Sequence, residues 1–351
     1  MNERQIGAKV SLAVKYRPKC WKDVTEQSVV RYILENQVKT KNVQSAYLFT
    51  GPSGTGKTTS ARIFANMINE GKGNPIEVDA ASNSGVDNIR QIIEDAKRKP
   101  LDAEYKIFIV DECHSLSSES WQALLKTLEE PPKFTIFIFC TTNPEKIPAT
   151  ILSRVQRYNF QKISNEGIIE RLNNILEKES DEIDNLSCKL NWEQDALEFI
   201  SKVSSGGMRD AITFLDKCLS LSHEVTLENV LKTIGSEDYS TFITFLSALE
   251  KKERDVSIKV VEDVYNSGKD VKQFIKDFAR FILEVEKYTI YGNFDYVNLP
   301  NTLESNIEQL NSVDLFNVMD FVVSLNSQIK WENDPKTLIE LSILIYCGKE
   351  I

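Results

Sequence analysis

The sequence contains no C-x-x-C pair. Its six cysteines, Cys20, Cys113, Cys140, Cys188, Cys218 and Cys347, stand far apart along the chain. That spacing argues against a zinc site or a disulfide framework and for buried, reduced thiols. No apolar run approaches the roughly 20 residues needed to span a bilayer. The first ten residues, MNERQIGAKV, lack the apolar core of a signal peptide, so a cytoplasmic location is expected. Positive charge is not in excess: 42 Lys and Arg face 52 Asp and Glu, a net charge of −10. This excludes an all-over nucleic-acid coat but leaves room for a local basic groove. There is no short-period repeat and no low-complexity tail.

The 351 residues suffice for two or three domains. A hydrophobic content of 41% and a charged content of 27% describe an ordinary soluble chain. Up to about residue 160, short apolar runs alternate with helical patterns. SAYLFT (45–50), NPIEVDA (74–80), YKIFIVDE (105–112) and KFTIFIFCTT (133–142) read as strands. Between them, TTSARIFANMI (58–68), VDNIRQIIEDAKRK (86–99) and SESWQALLKTLEE (118–130) read as helices, the last two stopped by prolines. This order predicts an α/β domain over 1–161, a parallel sheet with helices on both faces. After residue 161 the strand signals stop. Helical spacing over 165–180, 191–204 and 208–221 predicts a small helical domain over 162–236. Further helices within 240–252, 257–268, 270–291 and 312–329 predict a second all-helical domain over 237–351.

Five constellations carry chemistry. The first is GPSGTGKTT, Gly51-Pro52-Ser53-Gly54-Thr55-Gly56-Lys57-Thr58-Thr59, which fits G-x-x-x-x-G-K-[ST] between a strand and a helix. In such a loop backbone N–H groups cradle phosphates, the lysine reaches the β- and γ-phosphates, and the Thr58 hydroxyl ligates Mg²⁺. The second is Asp111-Glu112, at the end of a buried strand where open sheets bind ligands. Asp111 can organise Mg²⁺ and Glu112 can orient or activate water; the alternative is a helix-capping acidic pair. The third is Thr142 in CTTN, a candidate contact for water or γ-phosphate, or a turn former. The fourth is Arg154 in ILSRVQRY, after the last expected strand, a finger for a neighbour's γ-phosphate or a surface ion pair. The fifth is Arg209 in SSGGMRDA, placed to fold over a nucleotide.

In this order the residues resemble the AAA+ ATPases, and more closely the bacterial clamp-loader ATPase subunits, the gamma/tau type of DNA polymerase III. EVDAASNSGVDNIR (77–90), WQALLKTLEEPP (121–132), TTNPEKIPATILSR (141–154) and GGMRDAITFLDK (206–217) carry the resemblance. It is strong over residues 8 to 235 and weaker beyond. KYRPKCWKDVTEQ (15–27) is similar to the family's segment beside the adenine, which places Tyr16, Arg17 and Pro18 at the nucleotide. The resemblance implies ATP and Mg²⁺ as cofactors. It makes Lys57 and Thr58 the phosphate and metal residues, Asp111 the Mg²⁺ organiser and Glu112 the base. Thr142 becomes the first sensor, Arg154 the finger acting on a neighbouring subunit and Arg209 the second sensor. The C-terminal helices would form the collar of a five-subunit ring. The implied partners are other clamp-loader subunits, the sliding clamp and primer-template DNA, without a membrane. Asn88, Arg90, Lys97 and Arg98 are candidate DNA contacts; for Lys97 and Arg98 the alternative is a solvated helix end favourable to the dipole.

Three departures qualify the resemblance. The family's four-cysteine zinc module is replaced by NMINEGKGNPIEV, so no zinc is expected. The usual Ser-Arg-Cys reads Ser153-Arg154-Val155, and the usual Val-Gly-Gln reads Thr25-Glu26-Gln27. The expected function is ATP-driven opening of the sliding clamp and its release on primed DNA. With the sequence stopping at 351, segments for polymerase and helicase binding are not expected. A non-hydrolysing structural subunit, a replication factor C small subunit and another AAA+ DNA remodeller are the rival readings. An intact P-loop and Asp-Glu pair argue against the first. A phosphoryl-transfer kinase would leave Arg154 and Arg209 without a role.

Overall fold

A computed structural model describes residues 10–183, 190–234, 239–294, 297–300, 303–310 and 315–348. The chain divides into two compact units, Met1–Val225 and Thr226–Ile351. Cys188 and residues 312–314 of the last expected helix lie outside the described residues.

The first unit opens with α1 (Leu12–Lys15) and α2 (Ser28–Lys39), then alternates strands and helices. These are β1 (Ala46–Thr50), α3 (Lys57–Ile68), β2 (Ile76–Asp79), α4 (Val86–Ala96), β3 (Lys106–Asp111), α5 (Ser118–Glu129), β4 (Thr135–Thr141), α6 (Ala149–Leu152) and β5 (Gln156–Asn159). The five strands form one sheet in the order β2-β3-β4-β1-β5. Every pairing is parallel, with Ile76 opposite Phe108, Lys106 opposite Thr135, Ala46 opposite Phe137 and Tyr47 opposite Gln156.

The central strands are buried along almost their whole length because helices cover both faces. Alternation sorts their side chains. Tyr47, Phe49, Ile107, Ile109, Ile136 and Ile138 pack with Leu34 of α2 and Phe64 of α3. Leu48, Phe108, Val110, Phe137 and Phe139 face the other way, toward Ile89 of α4 and Trp121 and Leu124 of α5. Phe108 and Phe137 stack on that face with centroids 5.2 Å apart. Helix α5 is started by Ser117, whose hydroxyl accepts from Ser120 N at 3.1 Å.

One strand differs from expectation. Arg154 precedes the last strand of the sheet rather than following it, because β5 lies beyond it. Its sequence, QRYN, gives no apolar run: it is an edge strand and buries only Tyr158. Helix α4 also stops at Ala96, short of the expected end at 99.

Beyond the sheet come α7 (Asn165–Ile183), the two-residue strand β6 (Asn191–Trp192), α8 (Gln194–Val203), α9 (Met208–Leu221) and the two-residue strand β7 (Glu224–Val225). β6 and β7 pair in parallel, a detail too short to register as a sequence pattern. Helices and sheet belong to the same compact unit.

The second unit is helical among its described residues: α10 (Leu227–Ile234), α11 (Tyr239–Glu250), α12 (Arg254–Asn266), α13 (Val271–Tyr291), α14 (Glu304–Leu310), α15 (Phe316–Ile329) and α16 (Pro335–Gly348). Its core is built around phenylalanines, with Phe245 and Phe278 at 4.7 Å between centroids. No described helix is long and apolar enough to cross a membrane.

Candidate nucleotide-binding site

The loop between β1 and α3 runs at the carboxyl edge of the sheet, where a crevice forms beside β3 and β4. It turns on three glycines with positive φ: Gly51 at 144°, Gly54 at 73° and Gly56 at 94°. A Cβ at Gly51 would lie 2.2 Å from the Phe160 carbonyl oxygen, so no side chain fits there. Gly54 lies against the start of α9: a Cβ would stand 3.0 Å from Gly207 Cα, and Met208 N donates to Gly54 O at 3.1 Å.

Lys57 is buried and donates from Nζ to Gly51 O at 2.9 Å and Pro52 O at 2.7 Å. Burial is the main reason its pKa is lowered; Cys140, Glu112 and Asp111 oppose that shift. Thr58, one residue on, donates its hydroxyl to Asp111 Oδ2 at 2.8 Å. Two hard oxygen donors thus meet at the mouth of the crevice. Mg²⁺ takes few protein ligands and completes its octahedron with water and phosphate oxygens, so the pair fits that ion. Among the described residues no group of three or more His, Cys, Asp or Glu is placed to hold a metal.

Glu112 follows Asp111 in a left-handed conformation, φ 46°, with its N–H on Asp111 Oδ1 at 3.1 Å. A non-glycine residue held there carries a backbone cost of about 1–3 kcal/mol. Its Oε2 accepts from Thr142 Oγ1 at 3.2 Å. The two residues proposed from separate strand ends therefore touch.

A pocket of ≈330 Å³ lies over the loop. P-loop residues 53–59, Asp111 and Glu112 form one side; Tyr16, Arg17 and Pro18 form another. Arg209, exposed at the start of α9, lines it too. Gly51 and Pro52 sit behind the loop, serving Lys57 through their carbonyls. The burial that lowers the Arg17 pKa is reinforced by the charges of Arg62 and Arg209, with Glu77 and Asp111 opposing. Arg17, Arg62 and Arg209 thus lie close enough to feel one another's charge beside the loop, a condition that an anionic ligand would relieve.

Arg154 stands apart from this pocket. Its guanidinium donates to Glu129 Oε1 at 2.5 Å and to Thr150 O at 2.6 Å. The side chain remains 33% exposed at the end of α6. Asn88, Arg90 and Lys97 lie on α4 or just past its end. Arg90 pairs with Asp87 and Lys97 with Glu94, both local surface contacts. Cys20 is exposed, unlike the buried Cys113, Cys140, Cys218 and Cys347.

Several contributors were not legible beforehand. Arg62, on the first turns of α3, pairs with Glu77 on β2. Arg171 of α7 holds the Tyr16 carbonyl at 2.9 Å, and Val24, Thr25, Ile163 and Ile212 close the apolar side of the pocket. The Thr25-Glu26-Gln27 departure has a structural role. Glu26 accepts from Ser164 N at 3.2 Å and from Ser164 Oγ at 2.6 Å, beside the start of α7.

The strand order and the loop between β1 and α3 put the chain in the AAA+ class of P-loop ATPases. The same fold is seen in RuvB of Thermotoga maritima, a Holliday junction branch migration motor: TM-score 0.50, 20% identity, covering 67% of this chain and 79% of that one. At that identity the likeness concerns the fold alone.

Nearer relatives narrow the class. A family model described as DNA polymerase III, delta subunit matches residues 74–164. The DNA polymerase III subunit tau of Bacillus subtilis is 34% identical over 95% of this chain and 62% of its own length. The DNA polymerase III subunit gamma of Buchnera aphidicola is 30% identical over 95% of both chains. The chain belongs to the DNA polymerase III gamma/tau subunit family. It spans less than two thirds of the length of the Bacillus relative.

Proposed function

We propose that this chain is an ATP-hydrolysing motor subunit of a replication clamp loader, working in the cytoplasm with other subunits in a five-membered ring. The observation that carries the reading is the joined pair Thr58–Asp111 beside Glu112–Thr142 at one sheet edge. Residues 1–161 would bind ATP, 162–236 would act as the lid and 237–351 as the collar.

Lys57 and the loop amides hold the phosphates, while Tyr16, Arg17 and Pro18 flank the rest of the nucleotide. Thr58 and Asp111 would hold Mg²⁺, which when bound would supply neutralisation of phosphate charge. Glu112 accepts the proton of the attacking water, and Thr142 fixes its carboxylate. Arg209 reaches the same phosphates from the lid. Arg154 leaves Glu129 to serve the nucleotide of a neighbouring subunit; such a finger is worth roughly 10³ to 10⁵ in rate.

ATP binding favours the arrangement that opens the sliding clamp, and hydrolysis on primed DNA releases the clamp closed. DNA phosphates would be held partly by Asn88, Arg90, Lys97 and Arg98 after their local partners are exchanged. A loading assay tests this directly. The complex purified with its natural partners should place labelled clamp on primed circular DNA only with ATP, and Lys57→Ala should stop it. ATP-independent loading, or loading undiminished by Lys57→Ala, would contradict the proposal.

A further inference from the structure

His114 is one of two histidines in the chain, and it lies in the short turn after Glu112. It is mostly buried: 16% of its side chain is exposed. Nδ1 stands 3.1 Å from Thr141 Oγ1, in hydrogen-bond geometry, and 3.2 Å from Glu112 Oε2. Thr141 is fully buried at the end of β4, and its Oγ1 also accepts from Asn143 N at 3.0 Å.

These contacts select a tautomer. A bare Nδ1 would set its negative nitrogen 3.2 Å from the Glu112 carboxylate, an electrostatic repulsion in a partly buried site. A protonated Nδ1 donates to the remaining lone pair of Thr141 and presents the positive end of its N–H to Oε2. Oε2 then accepts from Thr142 Oγ1 at 3.2 Å and lies 3.2 Å from His114 Nδ1, a close electrostatic contact rather than a second hydrogen bond. Glu112 lines the pocket over the loop, and among the described residues no hydrogen bond ties down Oε1.

We propose that His114, as the Nδ1–H tautomer, is a positioning residue for Glu112. Its Nδ1–H dipole draws Oε2 electrostatically and leaves Oε1 as the atom that takes the proton. The inference rests on the ATP-hydrolysis reading above. In the step it serves, a water O–H bond breaks and its proton passes to Oε1. The water oxygen bonds to the γ-phosphorus, and the bond from that phosphorus to the bridging oxygen breaks. ADP carries away the electron pair, phosphate is the second product, and Oε1 returns its proton to solvent. His114 does not touch the reacting atoms. It restricts the carboxylate to one rotation, the kind of orientation that rate depends on.

The test uses the complex purified with its natural partners. An Asn side chain can place an N–H near the position of Nδ1, whereas a Gln reaches toward Nε2. His114→Ala and His114→Gln should each lower single-turnover ATP hydrolysis by about tenfold with unchanged ATP affinity, a fraction of what a general base supplies. His114→Asn should restore most of the rate. Equal losses in all three variants, an ATP affinity that falls with the rate, or a rate that rises would overturn the proposal. Imidazole ¹⁵N spectra of the wild-type chain give a second readout that needs no variant to fold at position 114. His223→Gln assigns the two rings, and His114 Nδ1 should show the shift of a protonated ring nitrogen; an unprotonated Nδ1 would overturn the assignment. Glu112→Gln separates the two levels. If it leaves turnover intact, the hydrolysis reading fails. If it abolishes turnover while His114→Ala changes nothing, only the positioning role fails.

Discussion

Thr58 donates its hydroxyl to Asp111 Oδ2 across 2.8 Å, tying the first turn of α3 to the end of β3. The two residues are 53 positions apart in sequence, and the sheet order brings them together. Asp111→Ala removes the acceptor and one of the two oxygen donors proposed for Mg²⁺. ATP binding should lose its dependence on Mg²⁺ and weaken by about tenfold or more, the scale of a charge-assisted hydrogen bond. Isothermal titration with and without Mg²⁺ reads the effect, and a Mg²⁺ response like that of the wild type would refute it.

Lys57 predicts a pH dependence. Burial lowers its pKa below the ordinary 10.5, so in the free protein the ammonium is lost earlier as pH rises. A bound polyphosphate favours the ammonium and raises the value again. Binding therefore takes up a proton in the alkaline window between the two values. ATP affinity should fall as pH climbs through the lowered value and stay flat below it. Titrations in buffers of different ionisation enthalpy measure the uptake. In the folding equilibrium the same shift has the opposite appearance: the Lys57 contribution is most favourable above 10.5 and declines as pH falls through the lowered value.

Gly51 is the position in the loop least able to accept a side chain. A Cβ would sit 2.2 Å from Phe160 O, a backbone atom that cannot swing away, and φ is 144°. Gly51→Ala should therefore displace β5 or the loop, costing about 3 kcal/mol or more and abolishing ATP binding. Urea denaturation gives the stability. A variant within about 0.5 kcal/mol of the wild type would show that the loop is not packed as described.

Glu26 sits at φ 57° where the family usually carries glycine, and its carboxylate holds Ser164 N and Oγ. Two effects compete. Glu26→Ala loses the hydrogen bonds but keeps a side chain at positive φ, and should cost about 1–2 kcal/mol. Glu26→Gly loses the same bonds but relieves the backbone, so it should cost less than Glu26→Ala. The order of the two in urea denaturation is the measurement, and a reversed order would contradict the account.

The apolar strands and the glycine-lysine loop were legible because each carries its own local signal. Residues 107–110 and 135–141 are buried on both faces, so composition alone marks them. β5 was not legible: an edge strand needs few apolar residues, and QRYN buries Tyr158 alone. The sequence marks Glu112 and Thr142 only as two separate candidates, since it does not say which strand ends adjoin. Arg62, Arg171 and His114 gave no signal, because each acts through a neighbour distant in sequence or through a partner's orientation. In sequence Arg154 is a candidate finger or a surface ion pair. Its contact with Glu129 supplies the second and leaves the first to the assembled complex.

The central claim is that hydrolysis at Glu112 is coupled to a clamp and primed DNA. The most direct test is steady-state ATP turnover of the complex purified with its natural partners, alone, with each component, and with both. The account predicts strong stimulation only when clamp and primed DNA are present together, lost in Arg154→Ala while ATP binding persists. Turnover indifferent to both would contradict it.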